Sequence, residues 1–290
     1  MATPQSVEDL GPGDHACLTF SDPEERLDIL AAFVRAGLDQ GHKVLCFTDS
    51  VPPDRLPVEL ETRAVSALDA IARGQLSVEG SDGTWLADGG PSARRMVDLL
   101  VRQLELAARQ GYPVLRMTAD MCWASRPVIG TDQLLAFESA VDALFSDGRL
   151  SAICQYDRDS FDAVTLAFAA AAHTRAVAGT VYHDDPLLRI CRQHSPPGIR
   201  VAGEIDFTRA EPLTQAISEA LRLDRDIHVN LVQLRYIDAA CVSIIRQAAA
   251  SLPPNRNMIV SCRGLVHEMF RLLGTTDADA LRVQMAHGQP

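Results

Sequence analysis

The period of apolar and polar positions changes repeatedly along the chain, and each change marks an element. Pro4, Gly11, Pro12 and Gly13 predict a loose leader over residues 1–13, after which residues 16–20 read as a short strand. Residues 23–40 carry Leu27, Leu30, Ala31, Val34 and Leu38 at helical spacing, and Gly41 closes that helix. Lys43–Thr48 (KVLCFT) is an apolar run of strand length, and residues 49–57 read as a turn-rich connection. A small helix near 66–73 and a strand at 76–78 lead into the Gly/Asp-rich residues 80–91, a surface loop and the chief candidate for a mobile lid. Ser92 is the expected cap of a helix reaching Gln110, with Met96, Leu99, Leu100, Leu104 and Ala107 on its inner side and Gly111 at its end. A strand at 114–118, a helix at 131–145, a strand at 151–156 and a helix from 160 to about 178 continue the alternation.

Strands separated by helices call for a mostly parallel sheet with helices on both faces, because parallel neighbours need crossover connections. Residues 179–186 then read as a linker. A smaller α/β unit follows, with strands at 187–193 and 199–202 turned by Ser195-Pro196-Pro197-Gly198, and a helix at 209–221. It continues with a strand at 227–234, a helix opened by Asp238, a strand at 258–262 and a helix at 265–273. Asp238 stands where an N-cap belongs, and Val242, Ile245, Ala249 and Leu252 give its helix one apolar face, so the first turn is presented outward. The domains expected are therefore 14–178 and 187–290.

Composition narrows the function class. With 290 residues and 47% apolar content the chain can fill two cores. It has no apolar run of about 18 residues and no signal-like start, which predicts a cytoplasmic protein that does not span a membrane. A formal charge of −11 opposes nucleic-acid binding, which needs a concentrated cationic surface. Seven cysteines without CxxC spacing fit a reducing compartment and argue against a structural zinc site. No cofactor is implied.

Strand, loop, helix, Gly and strand is also the order in which RecA-like ATPases begin, with a phosphate-binding loop after the first strand. Here that loop is Ser21-Asp22-Pro23-Glu24-Glu25, with no glycine, three carboxylates and a proline. The one lysine in the chain, Lys43, lies beyond the helix, so the usual triphosphate cradle cannot form and the chain is not expected to be an enzyme.

The first domain resembles the MEDS sensory domain, a RecA-like module without the catalytic loop. The matching residues are Asp14-His15-Ala16-Cys17-Leu18, Phe33, Gly37-Leu38, Gly41, Gly111-Tyr112 and the run from Leu115 to Trp123, then Phe137-Glu138, Cys154-Gln155-Tyr156-Asp157 and His173. The family generally has Glu where Asp120 stands. Of these, His15 and Cys17 flank the first strand, Asp120 and Trp123 follow the fourth and Tyr156 the fifth, and their convergence with His173 would make a pocket for a small hydrophobic or cationic molecule. Structural readings stand beside this one: His15 as a loop anchor, Trp123 as core. A metal held by His15, Cys17, Asp120 and His173 is conceivable by ligand chemistry, but their separations give no recognisable spacing and no metal site is assigned.

The second domain resembles a STAS domain, the fold of bacterial anti-sigma-factor antagonists, through Gly203-Glu204-Ile205-Asp206 and Ile237-Asp238-Ala239-Ala240-Cys241. The resemblance implies a docking surface at Asp206, Asp238, Ala239, Ala240 and Cys241, and a protein partner such as a serine-kinase type anti-sigma factor. Where the family's phosphorylated Ser or Thr belongs this chain has Ala240, the following Gly is Cys241, and the Asp of the central strand is Asn230. The expected function is a non-enzymatic signalling regulator whose first domain controls partner docking by the second. The alternatives are a ligand sensor whose output is homo-oligomerisation, and a degenerate nucleotide-binding protein.

Overall fold

Lys43–Thr48 and Leu115–Asp120 are buried at every position, as strands covered on both faces must be. The computed structural model describes residues 5–87, 90–126, 132–274, 277–278 and 280–286. It divides into two compact units, Met1–Ala178 and Gly179–Pro290.

In the first unit β1 (His15–Phe20), α1 (Pro23–Asp39), β2 (Lys43–Thr48), α2 (Leu56–Glu61), α3 (Ala67–Ala72), β3 (Leu76–Gly80) and α4 (Ala93–Arg109) are followed by β4 (Leu115–Asp120), α5 (Asp132–Val141), β5 (Leu150–Asp157), α6 (Ala163–Ala172) and β6 (Arg175–Val177). The strands form one parallel sheet in the order β3-β2-β4-β5-β1-β6. The first strand lies inside the sheet, between β5 and β6, which is the RecA-like arrangement. Cys17 sits directly beside Cys154 in the β1–β5 register.

Four expectations change here. Residues 5–13 are not loose: Gln5 bridges to Val177, Val7 and Leu10 are buried beside Phe33, and buried Arg116 donates to the Leu10 carbonyl at 3.0 Å. Residues 1–4 lie outside the described residues. Helix α6 stops at Ala172, and β6 instead covers the edge of β1 that would otherwise be open. The expected lid is pinned over its described part, because Trp85 is buried among Phe47, Trp123 and Phe137, with ring centroids 4.6, 6.0 and 5.5 Å away; residues 88–89 of that loop lie outside the described residues. Ser92 makes no cap bond, and Ala93 N–H donates to the Gln133 side chain at 2.9 Å instead.

The second unit contains β7 (Val181–Asp184), β8 (Leu188–His194), β9 (Pro197–Ile205), α7 (Ala210–Leu223), β10 (Ile227–Asn230), β11 (Leu234–Ile237), α8 (Ala239–Ala250), β12 (Met258–Cys262), α9 (Gly264–Leu272), β13 (Asp277–Ala278) and β14 (Leu281–Met285). The sheet runs β13-β14-β12-β10-β9-β8-β7, with β11 paired to β9. Two further expectations are corrected. The linker holds a strand, β7, joined to β8 by a turn in which Asp185 accepts Leu187 N–H and Leu188 N–H at 2.7 and 2.8 Å. The single strand expected over 227–234 is two, because the Asn230 side chain accepts Val232 N–H at 3.1 Å and turns the chain out of the ladder.

Gly203 has φ +100°, and a Cβ built there would lie 2.0 Å from the Leu187 carbonyl oxygen, a backbone atom that cannot step aside. Gly203→Ala is expected to cost the second unit about 1–3 kcal/mol. Both tryptophans belong to the first unit. The loss should therefore be seen in urea unfolding followed by far-UV circular dichroism and be nearly silent in tryptophan fluorescence.

Candidate functional site

At the carboxyl ends of the first unit's central strands, where ligands of open parallel sheets usually sit, the space is filled by a buried ion pair. Arg26, on the first turn of α1, donates to Asp120 Oδ2 at 2.7 Å and to Gln155 at 2.7 Å, with its guanidinium 4.8 Å over the Phe20 ring. Asp120 also accepts Ser50 N–H at 2.8 Å, Ser50 Oγ–H at 2.6 Å, Asp49 N–H at 3.2 Å and, on its other oxygen, Cys122 N–H at 3.1 Å. Burial by itself would raise the Asp120 pKa; Arg26 and these donors outweigh it and hold the carboxyl at about 2. The start of α1 is also taken: Asp22 accepts Glu24 N–H and Glu25 N–H at 2.9 and 3.3 Å, so a carboxylate sits where a phosphate would be cradled. Lys43 is bound elsewhere, to the Gly74 carbonyl.

A second buried cluster is built around Glu138 of α5. Tyr156 OH donates to its Oε1, while its Oε2 lies 3.4 Å from His15 Nε2 and 3.5 Å from His173 Nε2 and has no hydrogen-bond partner. Cys154 Sγ is 3.6 Å from His15 Nε2, and the His15 ring stacks on Phe145 at 4.3 Å and lies 4.0 Å from the His173 ring. Burial would raise the Glu138 pKa, yet the facing histidines and the tyrosine hydroxyl lower it, so the group stays a carboxylate. Burial and that charge push the Cys154 thiol and the Tyr156 hydroxyl well up. Cys17, the next strand's neighbour of Cys154, is pushed up to about 12 mainly by burial.

In the second unit Asp238 joins two segments. Its Oδ1 accepts Cys241 N–H at 2.8 Å, capping α8, and its Oδ2 accepts Phe207 N–H at 2.8 Å from the turn that Asp206 closes through Thr208 N–H at 3.0 Å. Around this knot Phe207 is 70% exposed and Tyr236 49%, and Ala239 and Ala240 face outward. Thr208, Ser243 and Ser195 offer no free hydroxyl beside Ala240: Thr208 binds Asp206, Ser243 donates to the Ala239 carbonyl at 2.8 Å, and Ser195 is buried.

A family model for MEDS, the methanogen/methylotroph, DcmR sensory domain, matches residues 14–174, more than half of the chain. The chain belongs to the MEDS family. A second model, described as Mlab, STAS domain, matches residues 189–283, so a MEDS domain is fused to a STAS domain. No curated protein sequence matches the chain. Solved structures similar to it include flagellar accessory protein FlaH from Methanocaldococcus jannaschii, at 10% identity and TM-score 0.44, covering 67% of this chain and 86% of that one. A KaiC-like protein from Pyrococcus horikoshii OT3 is similar at 10% identity and TM-score 0.47, over 63% and 80% of the two chains. An anti-sigma factor antagonist from Mycobacterium paratuberculosis is similar at 20% identity and TM-score 0.28, over 36% and 84%.

The six residues expected to line one pocket of the MEDS domain fall in separate places. His15, Tyr156 and His173 meet around Glu138, with Cys17 one strand position away; Asp120 belongs to the Arg26 pair; Trp123 is core beside Trp85. All six are buried. A cavity of about 210 Å³ lies instead at Trp85, Arg95, Met96 and Arg102, and none of the six lines it. Sequence reading missed Arg26, and it quoted Glu138 and Cys154 for the family resemblance without making them site residues. Glu138 was legible in principle, since Leu134, Phe137, Glu138 and Val141 share one buried helical stripe and a carboxylate on such a stripe needs partners. In the STAS domain Cys241 faces the core, its thiol pushed up to about 12 by burial and then Asp238, so it is no contact residue. It shares the buried face of α8 with Ile245 and Ala249, four and eight positions on.

Proposed function

We propose that this chain is a non-enzymatic regulator in which the MEDS domain receives a signal and the STAS domain docks on a protein partner through the start of α8. The first domain's family is described as sensory and domains of both families are generally regulatory, and among the described residues no helix is long and apolar enough to cross a membrane. One observation carries the docking reading: Phe207, Tyr236 and Ala240 are exposed on the segments that the Asp238 carboxylate ties together through two backbone N–H groups. Ala240 removes the hydroxyl a kinase would modify, so control passes to the MEDS domain. The partner class favoured is a serine-kinase type anti-sigma factor. Against the nucleotide alternative stand Asp22 at the helix start and the Arg26–Asp120 pair across the strand ends.

The test is co-purification of partners with the full chain from its own host, followed by mass analysis of the complex. A heterocomplex supports the docking reading; a homo-oligomer and nothing else replaces it with self-association. Phe207→Ala and Tyr236→Ala should each weaken the heterocomplex by about 1 kcal/mol or more. Each should leave unfolding within about 0.5 kcal/mol, since both side chains are exposed.

A further inference from the structure

We propose that His15, Glu138, Cys154 and His173 of the MEDS domain hold a divalent transition-metal ion of the zinc class. One donor atom from each lies within 4.8 Å of the others, and all four residues are buried. The two histidine–Glu138 distances fit a metal better than they fit hydrogen bonds, and the Cys154–His15 distance fits either. Zinc bond lengths of about 2.0–2.1 Å to N or O and about 2.3 Å to S imply tetrahedral edges of about 3.4 Å between N and O donors and about 3.6 Å between S and N. The observed edges are 3.4 and 3.5 Å for the two histidine–Glu138 pairs and 3.6 Å for Cys154–His15. A charge-assisted hydrogen bond would be about 2.7–2.9 Å.

The protons point the same way. His173 Nδ1 lies 2.6 Å from the Ala169 carbonyl, so Nδ1 carries the hydrogen as donor and the Nε2 lone pair is turned into the cluster. That lone pair faces Glu138 Oε2, and neither atom has a hydrogen-bond partner although both are buried. Lone pairs of two acceptors 3.5 Å apart in a dry site repel unless a cation lies between them. Charge closes as well: two neutral imidazoles, one carboxylate and one thiolate offset a 2+ ion, leaving no net buried charge. Cys154 gives up its thiol proton to solvent on metal binding, as coordinated thiols do. The nitrogen and sulfur donors disfavour Mg²⁺ and Ca²⁺, which take oxygen ligands. Tyr156, donating to Glu138 Oε1, leaves Oε2 as the ligand atom and fixes the carboxylate's orientation. The four residues come from β1, α5, β5 and the end of α6, so their spacing in sequence gives no metal motif.

The test uses the full chain in two preparations, one from Zn²⁺-supplemented growth and one refolded with Co²⁺. Elemental analysis should give about one Zn per chain. The Co²⁺ protein should show intense visible bands of tetrahedral cobalt and a near-ultraviolet thiolate-to-cobalt charge-transfer band. Cys154→Ser, nearly isosteric, should abolish the charge-transfer band, and Glu138→Gln should lower metal content at least tenfold, with cooperative unfolding confirming that each variant folds. Less than a tenth of an equivalent of metal by both routes, bound cobalt without the thiolate band, or a band that survives Cys154→Ser each overturns the assignment. The wild-type readings decide the matter even if a variant fails to fold.

Discussion

Asp120→Ala is expected to cost the first unit about 3–5 kcal/mol, because it strands a buried guanidinium and four donors at once. Arg26 would keep Gln155 but lose its counter-ion, and the N–H groups of Asp49, Ser50 and Cys122 would lose their acceptor in a place water does not reach. A unit of this size loses roughly 2–4 °C of Tm per kcal/mol, so the melting transition followed by Trp85 and Trp123 fluorescence should fall by roughly 6–20 °C. The pH dependence has a definite sign. The Asp120 carboxyl is depressed to about 2 in the fold, against about 3.9 unfolded. Its contribution is therefore complete above about pH 4 and is lost as the pH falls through about 2, and the variant should lack that acid-side decline. Replacing both partners, Arg26→Met with Asp120→Leu, should restore only the part of the loss due to the orphan charge, since the N–H groups of Asp49, Ser50 and Cys122 still lack their acceptor. A cost below about 1 kcal/mol for Asp120→Ala would mean that water reaches this carboxylate after all.

The parallel sheet of the first unit was readable because its strands are continuous apolar runs bounded by glycines: Lys43–Thr48 is found at the bounds expected of it. What periodicity could not report was pairing. Nothing in the local pattern of Arg175–Val177 distinguishes a short strand from the last turn of a helix; the open edge of β1 makes it a strand. Asn230 looked like a strand residue, yet its amide can mimic a turn's backbone and here ends β10. The Gly/Asp-rich loop looked mobile by composition, but one residue, Trp85, outweighs that composition by burying its ring on Phe47. For the site, individual residues were legible and their grouping was not. His15 and His173 are far apart in sequence and adjacent in space because β6, which follows His173, pairs with β1 at Ala16 and Arg175. Asp120 sits on the same sheet, facing α1, and could be separated from them only once the strand order was known.

Ala240→Asp is expected to weaken the STAS domain's partner complex at least a hundredfold, about 2.7 kcal/mol. The side chain points outward from the second residue of α8. If Phe207 and Tyr236 meet a partner there, the added carboxylate must be desolvated in an apolar contact, a penalty of several kcal/mol. The fold itself should be spared, because a carboxylate in the first turn interacts favourably with the helix N–H groups; unfolding should stay within about 0.5 kcal/mol of the parent. That separation makes the loss of binding diagnostic of the surface. Ala240→Ser supplies the complementary reading: alone it adds only a small neutral hydroxyl and should bind nearly as the parent does. With a kinase partner and ATP it should gain one phosphate by mass, and the complex should then dissociate, since phosphate adds about −1.5 to −2 charges at the same point. Titration calorimetry showing equal affinity for the parent and Ala240→Asp would move the docking face away from α8.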